Sequence, residues 1–175
     1  MRFLVEDTNF SLPITFEDCG LIFKYAALRN AEPQDTVARL EAMKQYIRWP
    51  DAYTRGLEYA MRYGIKEVVV FCLDNGGDPN GMIPFGSGPA HPLELAVIIS
   101  GRNFVAHLEM LLQYGADPKH PDLSGIRNYI PFQWLELHLG ISWEEFALRA
   151  AAGESFHVIV PSFSNMARQL MESGR

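Results

Sequence analysis

Two segments of this chain repeat one another, and that repetition limits its fold more than any other feature. Leu57-Glu58-Tyr59-Ala60 and Leu93-Glu94-Leu95-Ala96 share a start. Each is followed by an apolar run with helical spacing, and the runs end in Gly76-Gly77-Asp78-Pro79 and Gly115-Ala116-Asp117-Pro118. The two aspartates stand 39 residues apart. A period of roughly 20–50 residues marks a chain that stacks one supersecondary unit, because a single unit cannot bury its apolar face alone. Gly76 and Gly115 fall where a helix closes in a left-handed residue, and Pro79 and Pro118 block its continuation. Asp78 and Asp117 supply acceptors for the backbone amides of the turn. Ala60 and Ala96 are small where first helices of adjacent units approach. Val68, Val69, Cys72 and Leu73 make an apolar face of the second helix, as do Val105, Leu108, Leu111 and Leu112 one unit later.

These units resemble the ankyrin repeat, a unit of about 33 residues with a Thr-Pro-Leu-His-x-Ala helix, a glycine turn, a second helix and a Gly-Ala-Asp-x-Asn close. The first unit fits without a gap: Leu57, Ala60, Gly64 at the inter-helix turn, Glu67-Val68-Val69 opening the second helix, and Gly76 to Asn80 closing it. It departs at Arg55-Gly56, where Thr-Pro is usual, and at Glu58, where His is usual. The second unit has Pro92-Leu93 and Gly115-Ala116-Asp117. It runs about six residues over the family length. Half of that excess falls near Ser100-Gly101-Arg102 and half in the 81–90 loop, whose Gly, Pro and Ser read as turn chemistry rather than a new element.

Degenerate units flank this pair. Ile22 to Asn30 has the shape of a first helix, and Val37, Leu40, Met43 and Ile47 recur at three- and four-residue steps behind it, with Asp35 as N-cap. Pro131-Phe132-Gln133-Trp134-Leu135 echoes the repeat start, followed by a helix near 142–152 with Ser142 and Glu145 as a capping box. The resemblance implies an all-α fold: an ankyrin-type solenoid of about 3–4 repeats over residues 20–152, in one domain spanning 1–175. Residues 1–19 are then an N-terminal extension and 153–175 a C-terminal cap. Residues 10–16 alternate with period two, as an extended strip does, and 156–160 read as a similar strand. Residues 165–172 read as a closing helix capped by Ser164.

Composition narrows the function. One domain of 175 residues buries roughly 70% of its unfolded surface and needs no metal or disulfide to stand. Fifteen Lys and Arg against 21 Asp and Glu give a formal charge of −6, the wrong balance for nucleic acid. No apolar run approaches the ~18 residues of a membrane span, and Glu6-Asp7 interrupts any signal-peptide core. Two cysteines, Cys19 and Cys72, make at most one bridge. The expectation is a cytoplasmic protein with reduced thiols and neither nucleic acid nor membrane as partner.

Residues that carry chemistry are sparse. Cys72 sits in an apolar helix face, and Asp18 beside Cys19 raises that thiol's pKa, so neither reads as a nucleophile. The five histidines, at 91, 107, 120, 138 and 157, show no metal-ligand spacing. No nucleophile elbow or phosphate loop is present. The chain reads as a non-enzyme without a cofactor. Trp134 and Trp143 read as packing between the third unit and the cap, and Glu136, Glu144 and Glu145 as a solvated face.

Two surfaces are candidates for a partner protein. Met82, Ile83 and Phe85 are apolar residues at a hairpin tip, which marks an interaction surface unless Phe85 folds back onto the stack. The second surface is the concave groove of first helices. The family resemblance places the two residues before the inter-helix glycine there, here Arg62 and Tyr63, with Leu28-Arg29 and Ile98-Ile99 in the adjoining units. Tyr53 and Arg55, read as lying on the preceding loop, extend it. Arg and Tyr are common interface anchors. The reading is a protein–protein interaction module. Its small size and acidic charge suit an inhibitor, immunity or effector role against a basic site. The alternative is an enzyme or a small-ligand or metal-binding protein on the same scaffold, centred on His91, His120 and Asp122.

Overall fold

The computed structural model describes residues 22–23, 33–47, 49, 51–86, 88–120, 123 and 129–174. They are helical apart from one two-stranded ribbon and the connecting turns, as an all-α chain requires. The elements are α1 (Pro33–Met43), α2 (Ala52–Tyr63), α3 (Lys66–Asp74), β1 (Ile83–Phe85), β2 (Gly88–Ala90), α4 (Pro92–Ile99), α5 (Phe104–Gln113), α6 (Ile130–Leu139), α7 (Trp143–Ala151) and α8 (Phe163–Ser173).

The helices pack in pairs, α2 with α3 and α4 with α5, and the pairs pack on each other. α2 packs on α4, and α1, α3, α5 and α7 pack in succession, each on the next. Leu57, Ala60, Val69, Cys72, Leu93, Ala96, Leu108 and Leu111 are wholly buried in one continuous core. Ala60 and Ala96 therefore lie in a shared interior.

Local chemistry fixes the joints. α2 ends at Gly64, whose φ of +68° is left-handed, and a Cβ there would collide with the Asn103 amide. The left-handed φ favours glycine, and the exposed Asn103 amide would have to turn aside for a Cβ. One 3-10 turn, Gly101–Asn103, lies between α4 and α5. Side chains tie the pairs at both ends. Asn103 Nδ2 donates to the Gly64 carbonyl (3.4 Å), and the Tyr114 hydroxyl donates to Asp74 (2.6 Å). In the turns, Asp78 N–H donates to Thr54 Oγ1 (2.9 Å), and the Asp78 and Asp117 carboxylates accept from the amides two residues on. Asn80 bridges the two turns: its Oδ1 accepts from Asp117 N (2.7 Å) and its Nδ2 donates to Gly115 O (3.0 Å).

Several expectations need correction. The 81–90 loop is an antiparallel ribbon, with Ile83 opposite Ala90 and Phe85 opposite Gly88. Ile83 and Ala90 are both buried and β1 packs on α2, so the short strands have an apolar face to hold them. α1 begins at Pro33, which places Asp35 in its first turn rather than at the cap. Proline suits such a position because its missing N–H has no helical partner. Residues 154–160 form neither helix nor strand. The Glu109 carboxylate accepts from Phe156 N–H and the Ser155 hydroxyl, so side-chain bonds replace a strand ladder.

The closing helix is present as α8, two residues longer at its start than expected and preceded by Ser162 rather than Ser164. Ser142 caps α7, accepting from Glu145 N (3.2 Å). Trp134 is buried and donates to Gln169 on α8 (2.5 Å), while Trp143 donates to Pro118 O (3.3 Å). The 10–16 strip, Cys19, Leu28, Arg29 and Asp122 lie outside the described residues.

Candidate partner-binding face

Leu57 on α2, Leu93 on α4 and Phe132 on α6 are buried in the core. Five residues beyond each anchor stand Arg62, Ile98 and Leu137, at equivalent positions along α2, α4 and α6. All three are exposed: Ile98 keeps 44% and Leu137 47% of its surface in solvent. The two aliphatic side chains are therefore wet, Ile98 beside the buried Val97, and Leu137 between the exposed Glu136 and His138. The sequence signal for Leu137 is its offset from Pro131-Phe132, the same as that of Ile98 from Pro92-Leu93.

Around this row, Tyr63 is exposed, and Ile99 is half-buried against the core. Arg62 pairs with Glu58 one turn back (2.6 Å) and lies 5.6 Å over the Phe85 ring, which fastens the ribbon to the end of α2. An ion pair this exposed contributes little stability, so its effect is to orient the guanidinium. Tyr129 OH donates to Glu94 (3.2 Å), joining the start of α6 to α4.

Two of the expected contact residues are not surface residues. Ile83 is fully buried. Period-two alternation explains it: Ile83 and Phe85 share the ribbon face that meets α2, whereas Met82 and Pro84 take the other face and are exposed. Phe85, nearer the tip, is half-buried between the core and Arg62. Tyr53 is also buried, edge-on to Phe23 (6.1 Å) and Phe71 (6.0 Å). It belongs to α2 rather than to a preceding loop, as does the half-exposed Arg55.

The ligand-site residues are placed differently. His91 is buried at the start of α4, where its Nδ1 accepts from Leu93 N–H (3.2 Å), and its ring stacks against His120 at 4.7 Å. Its role there is a helix cap. Among the described residues, no three His, Cys, Asp or Glu side chains gather as a metal site would need. A concavity at the ribbon tip, lined by Pro84, Phe85, Gly86, Gly88 and Pro89, is open and shallow. Cys72 is buried, and burial pushes its thiol far above the usual range. Glu136, Glu144 and Glu145 are exposed, and Glu136 accepts from Trp143 N (3.0 Å). Among the described residues no helix is long and apolar enough to cross a membrane.

In comparison with known proteins, no family model matches the chain, and neither does any curated protein or solved structure.

Proposed function

We propose that this chain is an ankyrin-type solenoid that holds another polypeptide along the row Arg62, Ile98 and Leu137, with Tyr63 and Met82 at its border. The solenoid reading draws support from the regular joints: Gly76, Gly115 and Gly153 all have positive φ and recur at near-equal intervals, each closing a second helix. The observation that carries the function is the exposure of Ile98 and Leu137 at one repeated position. Apolar side chains left in water at matching positions of α4 and α6 offer surface for a partner to cover, which suits a chain laid across the stack. The formal charge of −6 favours a partner with a basic surface, and occluding such a surface is an inhibitory role.

The test uses the full chain to capture partners from its native extract, followed by titration of the captured polypeptide against variants. Ile98→Asp and Leu137→Asp remove row positions, and Arg62→Glu reverses its charge. Leu148→Asp, on α7, controls for apolar exposure elsewhere. Loss of a central anchor typically costs about 2 kcal/mol or more, a fall in affinity of roughly 30-fold. Unchanged affinity in all three row variants, or loss only in Leu148→Asp, would overturn the reading.

A further inference from the structure

The inserted turn of the second pair is closed by a buried polar contact that has no counterpart in the first pair. His107 on α5 is fully buried, and its Nδ1 lies 2.8 Å from Ser100 Oγ. Ser100 is itself buried and joins α4 to the turn Gly101–Asn103. The matching position of the first pair holds the apolar Val68. The other imidazole nitrogen, Nε2, is buried with no hydrogen-bond partner.

A neutral imidazole makes one hydrogen bond here and leaves Nε2 unpaired but uncharged. An imidazolium carries two N–H donors, and the second would be a buried charge with nothing to receive it, a costly state. Nor does a carboxylate offset it. Ionisable groups on the elements packed against α5 are Lys66, Glu67, Cys72 and Asp74 on α3, Glu94 on α4 and Arg102 in the turn. α7 adds Glu144, Glu145 and Arg149, and Glu109 shares α5 itself. The one whose field acts on His107 is Lys66, a cation.

We propose that His107 and Ser100 form a proton-operated clasp, which holds the turn 100–103 closed at neutral pH and releases it in acid. Burial, with a smaller contribution from Lys66, lowers the His107 pKa to about 4. In the opened turn the imidazole returns to its ordinary value near 6.5. The closed state therefore keeps its full advantage above about pH 6.5 and loses it as pH falls toward 4. Ile98 and Ile99 immediately precede Ser100, so opening frees the end of α4 and displaces one member of the exposed row. That consequence rests on the binding reading above; the clasp itself does not.

Amide exchange of the unliganded full chain at pH 7 and pH 5, corrected for intrinsic rates, reads the clasp without any partner. The opening equilibrium across residues 98–107 should rise about 20-fold between the two pH values, while α2 and α7 change far less. His107→Gln, which hydrogen-bonds but does not titrate, should remove the rise. Equal opening at both pH values, a rise shared by every helix, or the same rise in His107→Gln would overturn the proposal. Should that variant fail to fold, NMR titration of the wild-type ring decides: a midpoint near 4 supports the clasp, and one near 6.5 in the folded chain overturns it.

Discussion

Asn80 is the residue on which the coupling of the first two turns depends most visibly. Its amide oxygen accepts from Asp117 N–H at 2.7 Å and its amide nitrogen donates to Gly115 O at 3.0 Å, so one side chain satisfies two backbone groups of the next unit. Replacing it with alanine removes both bonds and leaves the rest of its own turn intact. A hydrogen bond contributes a net 0.5–1.5 kcal/mol, so the two together are worth about 1–3 kcal/mol. Water reaches both partners once the side chain is gone, because this region is exposed. The lower half of that range applies, about 1.5 kcal/mol. In a chain of this size each kcal/mol lowers Tm by roughly 2–4 °C, so Asn80→Ala should melt about 3–6 °C below wild type. Calorimetry and urea unfolding give the two numbers independently. Ordinary surface substitutions stay within about 0.5 kcal/mol. An Asn80→Ala chain inside that band, with an unchanged urea slope, would refute the idea that the turns are coupled through this side chain.

Other outcomes follow from the same contacts. Glu109→Ala strips the carboxylate that receives Phe156 N–H and the Ser155 hydroxyl. Bonds to a charged group are worth about 1.5–3 kcal/mol. Thermal melting should register that loss, amide exchange should show residues 154–160 released, and Glu109→Gln should recover part of it. Gly64→Ala forces a left-handed alanine, and equilibrium unfolding should show a loss of about 1–2 kcal/mol. Cys72 should resist a thiol reagent at pH 8 in the folded chain, because burial raises its pKa. Its labelling, mapped by mass spectrometry, should proceed only at the rate of unfolding.

What the sequence revealed was chemistry that acts over a few residues. The Gly-(Gly/Ala)-Asp-Pro closes and the Ser142 cap act through their own turns, and the small residues at 60 and 96 keep the helical spacing that marks a packed face; the structure places them accordingly. The start of α2 was harder to see. In the second unit Pro92 sets the first turn of α4, directly before Leu93. In the first unit Gly56 stands where that proline would be. The helix runs back through it to Ala52, carrying Tyr53 into the core. Gly56 also fills a tight place: a Cβ there would lie 2.8 Å from both Cys72 Sγ and Phe23. Ile83 was misplaced because strands of three residues exist only through the surface of α2 beneath them, a contact remote in sequence. His107 gave no signal, since a histidine in an apolar run reads the same whether wet or buried. Leu137 is obscured in the sequence because α6 carries one residue more between Phe132 and Gly140 than α2 does between Leu57 and Gly64, which shifts the register.

The central claim is that a polypeptide lies across the first helices. Photocrosslinking tests it most directly, with the reactive group placed in turn at Ile98, at Leu137 and, on the exposed second-helix side, at Gln113. One shared partner should be captured from 98 and 137, at neighbouring sites on that partner, and little from 113. Efficient capture from 113 with none from 98 or 137 would contradict it.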